Sequence, residues 1–327
     1  MRNLERRRVA SPLGQQFSVC LGLLLALAVS ISGAFAGTFG LYRSTDEGRT
    51  WMTVGKGLPQ GLRVDALGNA GLHRLAGTER GLYLSVDDGA SWLRPRLGVP
   101  EDVKVWDFAN LGALVYCATT RGVWSSGDHG HSWTPVGVRL AGTSVLSLAV
   151  SGGRLYAGTD LRGVLVLEPD RVEWESVSRG LPPESQVFQF AEGAGALYAA
   201  LYSRGVYRLD PTSQIWTPAG KEHPLRMVAV GDVLLSGRNP GGVYSSRNGG
   251  QSWNWAGLGL SEYAPTWAMG RVGGSVLLGT SGGAGLFRSD DAGTHWTPSD
   301  WGLPAGGEAI AFGTSDTSVL TVLILRP

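Results

Sequence analysis

A series of arginines recurs at a nearly constant interval and is the set of residues best suited to bind a ligand. The first four are separated by 41, 41 and 42 residues, and each stands immediately before a glycine. The series is Arg80, Arg121, Arg162 and Arg204, with Arg238 as a fifth member. Guanidinium groups bind carboxylates through paired hydrogen bonds. The series therefore predicts a site for a protein or an acidic glycan. The other interpretation is that Arg-Gly serves only as a soluble turn.

The remaining reactive side chains form no recognisable catalytic or metal-binding pattern. His129 and His131 have one residue between them, but both fill variable positions of a repeated turn. The two cysteines, Cys20 and Cys117, have no metal-ligand spacing. No glycine-rich phosphate loop opens a helix, and no nucleophile elbow occurs. We therefore predict no catalytic residue, no metal and no cofactor.

Composition excludes several classes of protein. The 327 residues include 28 basic and 27 acidic side chains, a net charge of +1. A nucleic-acid-binding protein that relies on a basic field is not expected from this balance. Hydrophobic residues make up 43% of the chain, which provides ample material for a core and argues against disorder.

The amino terminus has the pattern of an export signal. Four arginines among the first eight residues precede an uncharged apolar run at 19–31, and Ala34-Phe35-Ala36 fits a signal-peptidase site. We expect residues 1–36 to be removed and residues 37–327 to be exported to the periplasm, the cell surface or the medium. The alternative is an uncleaved membrane anchor, because residues 17–36 contain no charge.

Tryptophans and glycines repeat in step along the rest of the chain. The tryptophans stand at 51, 92, 133, 174, 216, 253 and 296, and their separations run from 37 to 43 residues. The glycines stand at 40, 81, 122, 163, 205, 242 and 285, and each opens a short apolar run. Two series in register over the whole chain predict a repeat architecture.

Each repeat contains four short segments with the composition of strands. In one unit they are 105–109, 114–119, 122–126 and 132–136. Units of about 40–45 residues with four strands are typical of propeller blades. The chain begins with a third and a fourth strand near 40–54 and ends with a first and a second near 308–325. We predict a monomeric, all-β, seven-bladed propeller closed by pairing these two half-blades.

The first strand of each unit has one bulky and one small face, as blades packed around an axis require. Trp106 and Phe108 illustrate the bulky face, and Ala109 illustrates the small one. Asp107 and Gln189 interrupt the small series. We expect both side chains to form hydrogen bonds between blades.

The turn between the third and fourth strands repeats a short motif. One copy reads Ser85-Val-Asp-Asp-Gly-Ala-Ser-Trp92, and a variant carries Asn248 in place of the aspartate. This motif is similar to the Asp-box of the bacterial neuraminidase repeat. The best copies supply the residues to which we assign a structural role: Asp46, Trp51, Asp87, Trp92, Asp128, Trp133, Asn248, Trp253, Asp291 and Trp296. The carboxylate would accept N–H bonds of its own turn, and the indole would cover it.

The resemblance implies a choice between functions. Asp-box propellers include sialidases and other glycosidases, sortilin-type receptors and the photosystem II assembly factor with its bacterial relatives. The Arg-Ile-Pro segment of sialidases is missing, and the assembly-factor branch is described as carrying an arginine-rich patch. A non-enzymatic, scaffold-like binding protein is therefore our leading hypothesis. The alternatives are a glycoside hydrolase or sialidase-like lectin, and a purely structural module.

Overall fold

Short strands separated by turns rich in glycine, aspartate and proline build the described part of the chain. The computed structural model describes residues 38–169, 171–220, 224–238, 241–261 and 265–326. The segment 1–36, for which a signal peptide is predicted, lies outside these residues. Within them every regular element is a strand, and no helix long and apolar enough to cross a membrane is found there.

The strands form seven antiparallel sheets, which we number as blades 1–7. Blade 1 consists of β3 (Val64–Ala70), β4 (His73–Thr78) and β5 (Gly81–Ser85). Blade 2 consists of β6 (Val105–Leu111), β7 (Leu114–Thr119), β8 (Gly122–Ser126) and β9 (Thr134–Pro135). Blade 3 consists of β10 (Val145–Ser151), β11 (Arg154–Thr159), β12 (Val164–Leu167) and β13 (Glu175–Ser176). Blade 4 consists of β14 (Val187–Gly193), β15 (Ala196–Leu201), β16 (Gly205–Leu209) and β17 (Trp216–Pro218).

The other three blades follow the same plan. Blade 5 consists of β18 (Pro224–Val230), β19 (Val233–Arg238), β20 (Val243–Ser246) and β21 (Asn254–Trp255). Blade 6 consists of β22 (Thr266–Val272), β23 (Ser275–Thr280), β24 (Leu286–Ser289) and β25 (Thr297–Pro298). Blade 7 consists of β26 (Glu308–Thr314), β27 (Val319–Leu325), β1 (Thr38–Ser44) and β2 (Met52–Val54). In blade 1 a single bridge between Leu84 and Leu93 takes the place of the fourth strand.

Blade 7 closes the ring with strands from both ends of the described chain. Its order is β2-β1-β27-β26, and β1 pairs with β27 over seven residues, from Thr38 with Leu325 to Ser44 with Val319. The predicted seven-bladed propeller and its mode of closure are confirmed. Closure of this kind leaves no long unpaired strand edge in the ring.

The first strands of the blades surround the axis, and each packs against the first strand of the next blade. Large residues of one blade meet glycines of its neighbour. A Cβ atom added to Gly68 of blade 1 would lie 2.7 Å from Cβ of Phe108 in blade 2. One added to Gly313 of blade 7 would lie 2.5 Å from Cβ of Leu67 in blade 1. The alternation of bulky and small faces in the sequence therefore produces close packing between blades.

Candidate binding face

The four-stranded plan sends two sets of connections to the same face of the propeller. One set consists of the turns between the second and third strands, which we call the Arg turns. The other consists of the loops that lead into the first strands. We call this surface the Arg face. The turns between the first and second strands, and those between the third and fourth (the outer turns), lie on the opposite face.

The two faces of blades 1–4 carry opposite charge. The Arg face has eleven basic and five acidic side chains, a formal net charge of +6, in residues 55–63, 79–80, 94–104, 120–121, 137–144, 160–162, 178–186 and 202–204. The opposite face has one basic and six acidic side chains, a net charge of −5, in residues 71–72, 86–91, 112–113, 127–132, 152–153, 168–169, 171–174, 194–195 and 210–215.

The positive charge of the Arg face is concentrated on one side of the ring. In blades 5–7 the described turns and entry loops at 219–220, 241–242, 257–261, 281–285 and 299–307 contain one charged side chain, Asp300. The basic residues thus form an arc over four consecutive blades. A cationic arc of this kind raises the electrostatic potential on that side of the face.

Threonine side chains hold the first three Arg turns in one geometry. The hydroxyl of Thr78 donates to the carbonyl oxygen of Gly81 (2.8 Å) and accepts from the backbone N–H of Arg80 (3.0 Å). Thr119 and Thr159 form the same two hydrogen bonds in blades 2 and 3. Our sequence reasoning missed these threonines, although they precede the arginines at a fixed or nearly fixed distance and so carried a usable signal.

The four arginines of these turns are exposed, and each keeps part of its guanidinium group available. Arg121 pairs with Asp102 (Nη2 to Oδ2, 2.5 Å), and both side chains are more than half exposed. Arg162 donates from Nη1 to the carbonyl of Arg139 (2.8 Å), and Arg204 donates from Nη1 to that of Pro183 (3.2 Å). The Arg80 side chain forms no hydrogen bond or ion pair within the described residues. These contacts orient the arginines over their own entry loops.

Arg238 stands apart from the other four. It is the last residue of β19 and pairs with Pro224, which is the position that Thr78 occupies in β4. Its guanidinium carbon lies 3.5 Å from the centre of the Tyr244 ring, and the side chain is half-buried. The strand register therefore places Arg238 outside the row of Arg turns, although it belongs to the same face.

A bulge at the start of every first strand builds the inner rim of the Arg face. In blade 1, Val64 pairs with Thr78 and Ala66 with Gly77, so Asp65 between them is the extra residue. The equivalent residues of all seven blades are half-buried: Asp65, Trp106, Leu146, Phe188, Leu225, Trp267 and Ile310. We call this set the mouth ring.

Basic side chains adjoin the mouth ring at blades 1 and 2. Asp65 forms ion pairs with Arg63 (2.6 Å) and with Lys104 (3.2 Å), and the Lys104 ammonium lies 3.6 Å from the centre of the Trp106 ring. Burial lowers the pKa of Lys104, although the nearby Asp65 carboxylate opposes this effect. The favourable position over the indole face also stabilises the cation. This part of the rim is thus cationic and partly desolvated.

One residue further along the first strands, Arg226 of blade 5 faces Asp107 of blade 2. Burial raises the pKa of Asp107 to about 6, against the lowering effect of backbone hydrogen bonds and of the Arg226 charge. Arg226 donates from Nη1 to the carbonyl of Leu225 (2.8 Å). Blades 2 and 5 lie on different sides of the ring, so this interaction places the arginine within the central channel.

The outer turns on the opposite face are held by hydrogen bonds within each turn. Asp128 accepts at Oδ1 from the backbone N–H of Ser132 (2.8 Å) and at Oδ2 from its hydroxyl (2.6 Å). Asn248 accepts the corresponding bond from Ser252 N–H (2.9 Å). Partial burial raises the pKa of Asp128, but the hydrogen bonds outweigh this effect and lower the pKa to about 2. The copies that begin at Ser44, Ser85 and Ser289 have the same geometry.

The tryptophan after each outer turn is buried, or half-buried in the case of Trp253, and its indole N–H is bonded to a backbone carbonyl. Trp92 and Trp133 donate to the glycine of their own turn, at 2.9 and 3.0 Å. Trp51 donates to Ser299 (2.8 Å) and Trp296 to Ala256 (2.7 Å), both of which follow the preceding blade. Trp253 donates to Gly250 and Ala219. The polar atoms of these turns are therefore engaged in the fold.

Three histidines meet on the same opposite face. The ring of His73, from blade 1, lies 5.8 Å from that of His129 and 5.3 Å from that of His131, measured between centroids. The sequence gives no sign that His73 lies near the other two, because His73 is in blade 1 and they are in the outer turn of blade 2. Among the described residues no group of three or more His, Cys, Asp or Glu side chains is placed to hold a metal ion.

The chain has the backbone arrangement of several solved propellers. It is similar to YCF48 bound to D1 peptide, with a TM-score of 0.60 at 15% identity over 83% of this chain and 95% of that one. It is also similar to the extracellular domain of a hybrid two-component system from B. thetaiotaomicron, with a TM-score of 0.65 at 14% identity over 83% and 39%. No protein-family model and no curated protein matches the chain.

An ancestral GH74 enzyme has the same type of fold, with a TM-score of 0.51 at 15% identity over 88% of this chain and 55% of that one. These neighbours thus include a peptide-bound protein, an extracellular domain of a signalling protein and an enzyme. At such low identity they show the fold alone. A shared fold does not determine function, which depends on the side chains of the site.

Proposed function

We propose that this chain is an exported, non-enzymatic propeller that binds an acidic protein segment, or another anionic partner, through the Arg face. The observation that carries the proposal is the net charge of +6 on that face of blades 1–4, with exposed arginines at the same point of four consecutive blades. A row of guanidinium groups at a regular interval suits an extended chain of carboxylates. The partner role of Arg238 is secondary in this proposal.

The proposal extends to family and cellular location. We infer that the chain belongs to the Asp-box propellers, because five of its seven outer turns share the serine, aspartate or asparagine, glycine and tryptophan of that motif. We further infer that residues 1–36 are an export signal and that residues 37–327 act as a monomer. The amino-terminal sequence of the protein recovered from the cell envelope tests this directly. Gly37 at the start supports cleavage, and an intact residue 1 indicates an anchor.

Binding to a defined acidic probe tests the main proposal. We expect a fluorescent twelve-residue peptide rich in Asp and Glu to bind the protein, with an affinity that falls as salt is added. Changing Arg80, Arg121, Arg162 and Arg204 together to Ala should reduce the affinity at least tenfold. The matched control changes four exposed arginines of the opposite face, Arg49, Arg171, Arg247 and Arg271, to Ala and should have little effect.

Three results would contradict the proposal or redirect it. Equal loss in both quadruple variants would mean that net charge, rather than the Arg face, determines binding. If the unchanged protein does not bind the peptide, the arginines serve only to form soluble turns. Hydrolysis of a glycoside in a substrate screen would favour the glycoside hydrolase alternative. The melting temperature of each variant shows whether the fold is retained.

A further inference from the structure

The mouth ring is mostly apolar, although it lies at a water-facing opening. Six of its seven members are large apolar residues, and three of these are aromatic: Trp106, Phe188 and Trp267. All seven keep some exposure to solvent. Partly exposed apolar side chains inside a polar border are typical of an interaction site. In this protein the border is the cationic arc of blades 1–4.

The hydrogen bonding of the ring also leaves donors unused. The indole N–H groups of Trp106 and Trp267 have no acceptor among the described residues, whereas the tryptophans after the outer turns are all bonded. Buried indole N–H groups normally find a partner. Trp124 of β8, which is outside the ring, has the same unpaired N–H, so this observation accompanies the apolar composition of the ring and does not replace it.

We propose that the mouth ring receives a large apolar side chain, aromatic or aliphatic, of the acidic segment that binds along the Arg face. This inference rests on the proposed function and adds a specificity site to it. Carboxylates of the segment meet the arginines of blades 1–4, and the apolar residue enters the opening that those blades border. Charge complementarity with the arc identifies the occupant as acidic peptide, and the composition of the ring identifies the anchor residue as apolar.

Arg226 lies beneath the same site, within the channel. It is next to Leu225 of the ring and faces the Asp107 carboxylate, which also accepts backbone N–H groups from Phe108 and Leu148. The carboxylate offsets the charge of this arginine at neutral pH, so the positive potential at the opening comes from the arc of blades 1–4. An anionic segment with an apolar anchor is favoured at this opening over a cationic one.

Two peptides that differ at one position test the inference on the unchanged protein. The first is a twelve-residue peptide rich in Asp and Glu with a central Phe, and the second has Ser at that position. We expect the Phe peptide to bind roughly tenfold to a hundredfold more tightly at physiological salt, because a buried aromatic side chain is transferred out of water. Fluorescence anisotropy gives both dissociation constants.

Variants of the protein then show whether the higher affinity for the Phe peptide depends on the mouth ring. Leu225→Ser and Phe188→Ser should lower the affinity for the Phe peptide towards that for the Ser peptide, and should leave the Ser peptide unaffected. Leu72→Ser is the matched control, since Leu72 is 93% exposed on the opposite face. Because the peptide pair requires no change in the protein, a ring variant that fails to fold does not remove the test.

The outcomes separate the two proposals. If both peptides bind equally and the quadruple arginine variant abolishes binding, the Arg face binds acidic segments and the mouth ring plays no part. The inference is also overturned if both ring variants still bind the Phe peptide more tightly than the Ser peptide by the same factor as the unchanged protein. If neither peptide binds, the proposed function and this inference fail together.

Discussion

The carboxylate of Asp107 in blade 2 accepts a hydrogen bond from the backbone N–H of Leu148 in blade 3, at 2.9 Å. Gln189 of blade 4 holds the same position relative to blade 5. It accepts from the N–H of Met227 at 2.9 Å and donates to its carbonyl at 3.0 Å. Polar side chains in the small series thus join neighbouring blades, as the sequence predicted.

The pH dependence of stability should report the ionisation of Asp107. Burial raises the pKa of this carboxyl from 3.8 to about 6 in the folded protein, so the folded state retains a proton that the unfolded chain loses. The unfolding free energy should therefore fall, relative to that of Asp107→Asn, as the pH rises from about 4 to about 6. The fall should be up to about 3 kcal/mol, with a constant difference at higher pH.

Urea unfolding of both proteins at a series of pH values between 4 and 8 provides this comparison. The other carboxylates are common to the two proteins and cancel in the difference. A difference that grows in favour of the wild type as the pH rises would contradict the assignment.

Part of this architecture was predictable, because it depends on periodic features of the chain. Blade number, closure and the position of Asp107 follow from spacing and from alternation along a strand. The location of Arg238 was not predictable in the same way. Its place in β19, rather than in the turn, depends on how far the strand extends before the chain reverses.

Contacts between distant segments account for the other omissions. Arg74 and Arg288 are buried arginines whose partners come from the neighbouring blade as well as their own. The mouth ring depends on a bulge in each first strand, which brings one extra residue to the rim. No local pattern distinguishes these residues from other surface arginines or core hydrophobic residues.

Replacing Arg74 should weaken the junction between blades 7 and 1. Its guanidinium donates to Asp88 (2.8 Å), to Asn69 (2.7 Å) and to the hydroxyl of Ser315 (2.6 Å), which lies in the turn between β26 and β27. We expect Arg74→Ala to lower the unfolding free energy by about 3 kcal/mol, because a buried side chain is removed and several half-buried acceptors lose their partner. Chemical denaturation measures the change.

Lysine cannot replace this arginine, since one ammonium group cannot reach acceptors arranged around a planar fork. Arg74→Lys should therefore recover little of the lost stability. Arg271→Ala, at an exposed position, serves as the control and should stay within about 0.5 kcal/mol of wild type. Wild-type stability in Arg74→Lys would show that charge alone is required.

The outer turns should tolerate asparagine better than alanine. Asn248 already accepts the N–H of Ser252 in its own turn, so Asp128→Asn retains an acceptor of the same shape. Asp128→Ala removes it, and we expect a loss of about 1 kcal/mol with no change in peptide binding. Thermal unfolding of the two variants measures the difference. Equal losses, or weaker peptide binding in a folded Ala variant, would argue against a structural role.

Acid should selectively remove the contribution of this turn. The hydrogen bonds lower the pKa of Asp128 to about 2, so the folded state favours the carboxylate form. The stabilisation is complete above about pH 4 and is lost as the pH falls through 2. The difference between wild type and Asp128→Asn should therefore shrink in that range.

Cys117 should be unreactive until the protein unfolds. It is fully buried in β7, and burial raises its pKa well above the ordinary value for a thiol. Since the thiolate is the reactive form, iodoacetamide at pH 8 should label Cys117 only in denaturant. Peptide mass spectrometry locates the label. Rapid labelling of the native protein would indicate that blade 2 opens readily.

Removing Asp102 should strengthen the binding of acidic peptides, because this carboxylate competes for Arg121. The two side chains form an exposed ion pair at 2.5 Å, and such pairs contribute little to stability. Asp102→Asn leaves the fold intact, releases the guanidinium and raises the net charge of the Arg face by one. We expect a severalfold gain in affinity at low salt that shrinks as salt is added. Glu173→Gln, which removes an exposed carboxylate from the opposite face, should give a smaller gain. Equal gains in the two variants would show that the peptide senses overall charge rather than the arginine row.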